Sequence, residues 1–330
     1  MAQFDLPLEA LREYRSDSPE PDGFDAHWAR TIAAARAHDV ILERRPVETG
    51  LSAVDTWDVR FAGFDGHPIA AWWTVPRHRR AHRGVVVEYL GYGRGRGLPH
   101  ERLLWSAAGY AHLLMDSRGQ GGQHGNGGDT VDPVGTPPSA TGFVTRGIAD
   151  PAEHYYRRLV ADAVRAVDAA RALNGEADAP VVVSGNSQGG ALALAAGGLV
   201  PDVSAVLAGV PFLCHPRRAL MITEASPWSE VVNYLSVHRD AVDVALGTLD
   251  FVDGVNFARR GRAPLHASVG LRDTVCPPST VFAAFNAWGE HAEAAVDREI
   301  EVYPFNHHEG GDAVHTRRQL DWLAGVLGGL

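Results

Sequence analysis

The stretch Val181-Val182-Val183-Ser184-Gly185-Asn186-Ser187-Gln188-Gly189-Gly190-Ala191-Leu192 decides the fold. Its three valines read as a short, wholly apolar strand of the kind that lies in the middle of a parallel sheet. The residues from Leu192 to Val200 continue a helix. Between strand and helix stands Gly-x-Ser-x-Gly, as Gly185-Asn186-Ser187-Gln188-Gly189. A serine there can sit on a sharp, strained turn, because the flanking glycines let neighbouring backbone approach where a side chain would clash. Its Oγ then projects above the strand ends. The free N–H groups and dipole of the new helix face any negative charge that develops beside it. Gly-x-Ser-x-Gly alone is a weak signal, and an apolar strand before it with a helix after it is the context the chemistry requires. The plainer reading is a helix start with serine as N-cap and glycines for close packing.

The same grammar extends in both directions. Residues 85–90, 111–116, 203–210, 265–269 and 300–303 read as strands. Helices are expected at 100–108, 151–173, 278–288 and 313–327, with 227–247 largely helical. Strands separated by helices imply a mostly parallel central sheet covered on both faces, an α/β fold. Residues 24–38 read as an N-terminal helix. Residues 54–61 and 69–75, joined at Gly63-Phe64-Asp65-Gly66, read as a β-hairpin. The expectation is one domain: residues 1–83 form an N-terminal helix and antiparallel extension, and residues 84–330 form the core. The stretch 119–142, rich in Gly, Pro, Ser and Thr, reads as one long surface excursion.

Composition narrows the function. The chain has 330 residues, of which 45% are hydrophobic and 21% charged, the balance of an ordinary globular protein. A formal net charge of −10 disfavours nucleic acid as a partner, since that needs cationic surface. Every basic residue is Arg, and there is no Lys. That excludes a Schiff-base lysine, a phosphate-loop lysine and a Ser-Lys pair. Cys214 and Cys276 stand too far apart for a CxxC unit and make no disulfide framework. The N-terminus is neither cationic nor followed by an apolar core, so no signal peptide is expected. No apolar run of 18 or more residues suggests a membrane span. A cytoplasmic location is the default expectation.

A serine nucleophile needs a base, and usually a third group to orient that base. In α/β-hydrolases the chain order is Ser, acid, His. His307 and His308 immediately follow a late strand. His308 is the chosen base because His308-Glu309-Gly310 leads into the last helix; His307 is the runner-up. Asp273, in a loop after one strand and before a helix, is the candidate acid, although an aspartate there can equally cap a turn or pair with Arg272. The oxyanion donors should be the N–H of Gln188 and one from the loop Leu90-Gly91-Tyr92-Gly93. Gly91 to Gly97 lacks the Gly-x-Gly-x-x-Gly register of a dinucleotide site, because position 96 is Arg96. His308-Glu309 fails the H-E-x-x-H zinc pattern, because position 312 is Asp312. No cofactor and no metal are expected.

Together Arg118-Gly119-Gln120, Gly185-Asn186-Ser187-Gln188-Gly189 and His308-Glu309 resemble, in order, the motifs of the acetyl xylan esterase/cephalosporin C deacetylase family of carbohydrate esterases. The segment from Asp273 to Asn286 looks like the family's acid region. Phe4-Asp5-Leu6-Pro7 and Gly91-Tyr92-Gly93 add weaker matches. The resemblance implies an α/β-hydrolase fold with Ser187 as nucleophile, Asp273 as acid and His308 as base. It implies backbone donors from Tyr92 and Gln188, with Arg118 and Gln120 holding loops around the site. It further implies a small acetylated substrate and a homo-oligomer, a hexamer in the family. Two other readings stand beside it: another hydrolase of the same fold, such as a peptidase or a general short-chain carboxylesterase, and a non-catalytic scaffold that keeps the fold.

Overall fold

Runs of valine, isoleucine and alanine supply most of the strands. In chain order these are β1 (Ile41–Val47), β2 (Val54–Ala62), β3 (Pro68–Pro76), β4 (Val85–Tyr89), β5 (Ala111–Met115), β6 (Val181–Asn186), β7 (Ala205–Gly209), β8 (Leu265–Gly270) and β9 (Arg298–Tyr303). They form one nine-stranded sheet in the order β1-β2-β3-β5-β4-β6-β7-β8-β9. The computed structural model describes residues 3–77, 83–134 and 142–328. Strands β4 to β9 run parallel, whereas β1, β2 and β3 are antiparallel. The expected hairpin is β2–β3. It joins the parallel part directly, with Ala71 of β3 opposite Met115 of β5. The fold is that of the α/β-hydrolases: a mostly parallel sheet with helices on both faces.

The helices are α1 (Leu8–Glu13), α2 (Phe24–Arg36), α3 (Leu104–Ala107), α4 (Tyr155–Asn174), α5 (Gln188–Leu199), α6 (Pro216–Ile222), α7 (Trp228–Val237), α8 (Val242–Asp250), α9 (Gly254–Ala258), α10 (Pro278–Ala287) and α11 (Asp312–Val326). Alternation along the strands divides the core in two. Val85, Val87 and Tyr89 join Val181 and Val183 in the larger cluster, beneath α2, α4, α5, α9 and α10. Val86 and Val182 point the other way, into a smaller cluster with Trp105, Tyr110 and Leu323. One face is therefore heavily covered, while the other carries chiefly α3 and α11. Among the described residues, no helix is long and apolar enough to cross a membrane.

The structure refines the expected layout at three places. The helix expected over 100–108 shrinks to one turn, Leu104–Ala107. Leu98 donates its N–H to Glu101 Oε1, and Glu101 N–H bonds back to Leu98 O, so this stretch closes a turn of its own. The stretch 119–142 is a surface excursion where it is described, irregular and mostly exposed from 121 to 134, but it is pinned inward at a few points. Gly119 N–H bonds Thr130 O, Thr130 Oγ1 accepts from Ala70 N–H, and Thr130 and Asp132 are buried. Positions 135–141 lie outside the described residues. Strand β1 is not legible in the sequence. Ile-Leu-Glu-Arg-Arg-Pro-Val shows no apolar alternation, because an edge strand need bury neither face and tolerates proline.

Candidate active site

The turn between β6 and α5 has the geometry its glycines allow. Ser187 is held at φ 59°, ψ −121°, a conformation costly for a residue with a side chain. Its N–H bonds Gly209 O, and its carbonyl accepts from Phe212 N–H, so both neighbouring segments clamp it. A Cβ on Gly185 would lie 2.4 Å from the backbone of Gly189, and one on Gly189 would lie 2.2 Å from Tyr89 O. Glycine is required at both places because backbone packs on backbone there.

The three distant side chains meet. His308 Nε2 lies 3.0 Å from Ser187 Oγ, and His308 Nδ1 lies 2.8 Å from Asp273 Oδ2. Asp273 is fully buried, and its other oxygen accepts from Val275 and Cys276 N–H at 2.8 and 2.9 Å. The aspartate therefore caps its own loop and faces the imidazole at once; Arg272 is not its partner. His307 is occupied elsewhere, its Nδ1 2.9 Å from Arg272 O. Glu309 fastens the histidine turn by accepting from Asn306 Nδ2 and His307 N–H.

Opposite the serine, the loop after β4 supplies the second wall. Among the described residues, the backbone N–H groups of Tyr92 and Gln188 donate to no protein acceptor. The N–H of Gln188 is free because it opens α5. Gln120 ties these two places together. Its Oε1 accepts from Gly93 N–H at 2.6 Å, and its Nε2 donates to Gln188 Oε1 at 2.8 Å. Gln188 Nε2 reaches Leu90 O at 3.2 Å. Tyr155 OH lies 2.9 Å from Gln120 Nε2 and donates to Arg118 O at 2.6 Å. Tyr92 OH donates to Glu230 at 2.8 Å and accepts from Phe143 N–H, and both burial and Glu230 push its ionisation above the ordinary tyrosine value.

Arg118 lies under the site and does not touch it. Its guanidinium is fully buried and grips Asp162 at 2.6 and 2.7 Å, with Asp132 at 3.4 Å. Asp132 also pairs with Arg158 at 2.9 Å.

Sequence reasoning missed Asp162, Asp132, Tyr155, Glu230 and Asp116. Both carboxylate oxygens of Asp116 are engaged: one accepts from Arg96 and Ser117 N–H, the other from Asp129 N–H, Thr130 N–H and Thr130 Oγ1. Burial pushes its carboxyl above the ordinary value, against the pull of these donors. Its place just before Arg118-Gly119-Gln120 was the available signal.

Two groupings among the described residues bring three potential metal ligands together. Asp273, Cys276 and His308 belong to the triad, and burial keeps the Cys276 thiol protonated. His266, Glu299 and Glu301 lie on β8 and β9, where Glu301 already pairs with Arg318. Both cysteines are free and buried.

The acetyl xylan esterase (AXE1) family model matches residues 1–326. The chain belongs to the acetyl xylan esterase family. Acetyl esterase Axe7A of Xylanibacter ruminicola is 25% identical over 324 residues, covering 96% of this chain and 69% of that protein. The acetyl xylan esterase from Paenibacillus sp. R4 superposes with a TM-score of 0.86 at 32% identity, covering 97% of this chain and 99% of that one. Acetyl xylan esterase 1 from Thermoanaerobacterium sp. JW/SL YS485 gives 0.85 at 29% identity, covering 98% and 99%. The family is one of carboxylic-ester hydrolases, and its fold matches the sheet described above.

Proposed function

We propose that this chain is a serine esterase that removes acetyl groups from small acetylated substrates, acetylated xylo-oligosaccharides and cephalosporin C-like acetate esters among them. The observation that carries the reading is the relay Ser187 Oγ, His308, Asp273, with contacts of 3.0 and 2.8 Å. Membership of the acetyl xylan esterase family supports the choice of bond.

In this mechanism His308 Nε2 takes the Ser187 proton as Oγ attacks the acetyl carbonyl. Asp273 holds the Nδ1–H tautomer and stabilises the imidazolium that forms. The oxyanion is held by the N–H groups of Tyr92 and Gln188, each worth about 3 kcal/mol of barrier in comparable sites. The alcohol leaves with the proton from His308. Water, activated by the same imidazole, then frees acetate and restores the serine. The reading requires no cofactor. It also carries a homo-oligomer, hexameric by family resemblance, which sedimentation of the purified chain would test.

Wild type should release acetate from acetylated xylo-oligosaccharide and from p-nitrophenyl acetate, with a steep fall as the acyl chain of the p-nitrophenyl ester lengthens. Ser187→Ala should remove a serine-reactive phosphonate adduct. Asp273→Asn should lower kcat by about 10⁴-fold, since asparagine favours the wrong tautomer. A folded wild type that takes no phosphonate at Ser187 overturns the proposal.

A further inference from the structure

His266 lies in the interior, yet no protein group bonds its ring. It stands second in β8 and is only 1% exposed. Its imidazole packs on His315 and Trp322 of α11, with ring centroids 5.2 Å apart in each case. Its Nδ1 is buried without a partner, and among the described residues its Nε2 makes no hydrogen bond or ion pair either. A neutral imidazole carries one donor and one acceptor, and burying both unpaired is unfavourable.

What the ring faces is acidic. Strand β9 is the last of the sheet, and its Glu299 sits opposite His266 in the register. Glu301 is two residues further along and therefore on the same face. One ring nitrogen of His266 and one carboxylate oxygen from each glutamate lie within 4.8 Å of one another. Glu299 is exposed, and among the described residues its carboxylate accepts from no donor. Glu301 gives Oε2 to Arg318 and keeps Oε1 free. Two carboxylates converge on a buried, unpartnered imidazole with one guanidinium beside them, a donor set that a cation completes.

The donors narrow the cation. One imidazole nitrogen with two carboxylate oxygens suits zinc, which holds such atoms at about 2.0–2.2 Å. Magnesium and calcium prefer oxygen throughout. Glu299, exposed on an edge strand, has the freedom to swing inward and close on an ion.

We propose that His266, Glu299 and Glu301 hold a zinc ion at the open edge of the sheet, with water in its fourth position. The ion fastens β8 to β9 beside α11 and takes no part in ester cleavage, since His266 lies near the start of β8 whereas Asp273 follows its end. The chain shows no short zinc-ligand spacing here because the ligands come from two neighbouring strands.

The test is calorimetric titration of zinc chloride into the chelator-stripped full chain, with p-nitrophenyl acetate turnover and thermal unfolding measured alongside. Wild type should bind one ion with a dissociation constant below about 0.1 mM. The loaded chain should unfold at a higher temperature with turnover unchanged. Glu299→Gln, at an exposed position, and His266→Gln should each weaken binding by about tenfold or more. Absence of a saturable site in that range, or a smaller loss in Glu299→Gln, overturns the proposal. Zinc taken instead by Asp273, Cys276 and His308 shows itself by suppressed turnover and by indifference to Glu299→Gln, which also overturns it. Equal binding of magnesium chloride overturns the choice of ion.

Discussion

The side-chain amide of Gln120 donates to that of Gln188 at 2.8 Å, while its oxygen accepts from Gly93 N–H at 2.6 Å. One buried side chain thus spans the two segments that carry the candidate oxyanion donors. Gln120→Ala should cut kcat on p-nitrophenyl acetate by roughly tenfold or more, because losing alignment of one donor costs a share of its contribution. KM should change little. Steady-state kinetics check this, and equal losses in ground-state binding and kcat would argue against a role in positioning.

Two glycines should respond oppositely to alanine. Gly189→Ala places a Cβ 2.2 Å from Tyr89 O, backbone that cannot move without shifting β4. The variant should lose on the order of 3 kcal/mol of stability or fail to fold. Gly247 lies inside α8 with nothing within 4 Å of an added Cβ. Gly247→Ala should gain about 0.4–1 kcal/mol. Urea unfolding of the pair measures both.

Removal of the Arg118 guanidinium leaves Asp162 and Asp132 buried beside one fewer cation. Arg118→Ala should cost about 3–5 kcal/mol, the usual penalty for breaking a buried ion pair from one side. Arg118→Lys should recover only part, since an ammonium cannot reproduce the two-pronged grip on Asp162. Thermal denaturation of both variants distinguishes the charge from its geometry.

Acid should destabilise the fold through buried imidazoles. Burial lowers His154 and His266 to about 4 and His315 to about 3, so all three are neutral in the folded chain. The unfolded chain binds protons at these sites from about pH 6.5 downward, before the folded chain does. Their contribution is therefore complete above pH 6.5 and is lost as pH falls toward 4. Each group contributes a slope on the order of 1.4 kcal/mol per pH unit within that window. Asp253 opposes them: burial raises it to about 7, so its contribution is present at low pH and lost as pH rises. Below pH 4.5 Glu88 adds to the acid loss. Burial works to raise its carboxyl, but His112 and Arg102 outweigh that and hold it down to about 2. Urea unfolding at pH 8, 6 and 4.5 should show a net fall. His154→Gln should flatten the slope whatever it does to absolute stability, and an unchanged slope would contradict the assignment.

The sequence by itself determined the parallel strands and the nucleophile turn, because local rules govern both. A short β-branched run such as Val181–Val183, bounded by glycine, reads as a buried strand, and Gly185 and Gly189 beside Ser187 read as places of close backbone packing, which the structure bears out. The order Ser187, Asp273, His308 along the chain was equally legible. Only the tertiary structure decided between His307 and His308, since adjacent residues differ by which way their loop turns them: one ring meets Arg272 O, the other Ser187 Oγ. It also decided the fate of Thr130 and Asp132, two buried polar residues within an otherwise exposed stretch that composition places at the surface. Those groups are inside because Ala70, Arg118 and Arg158, remote in sequence, satisfy them. Whether a polar residue can be buried depends on partners that no local pattern reveals.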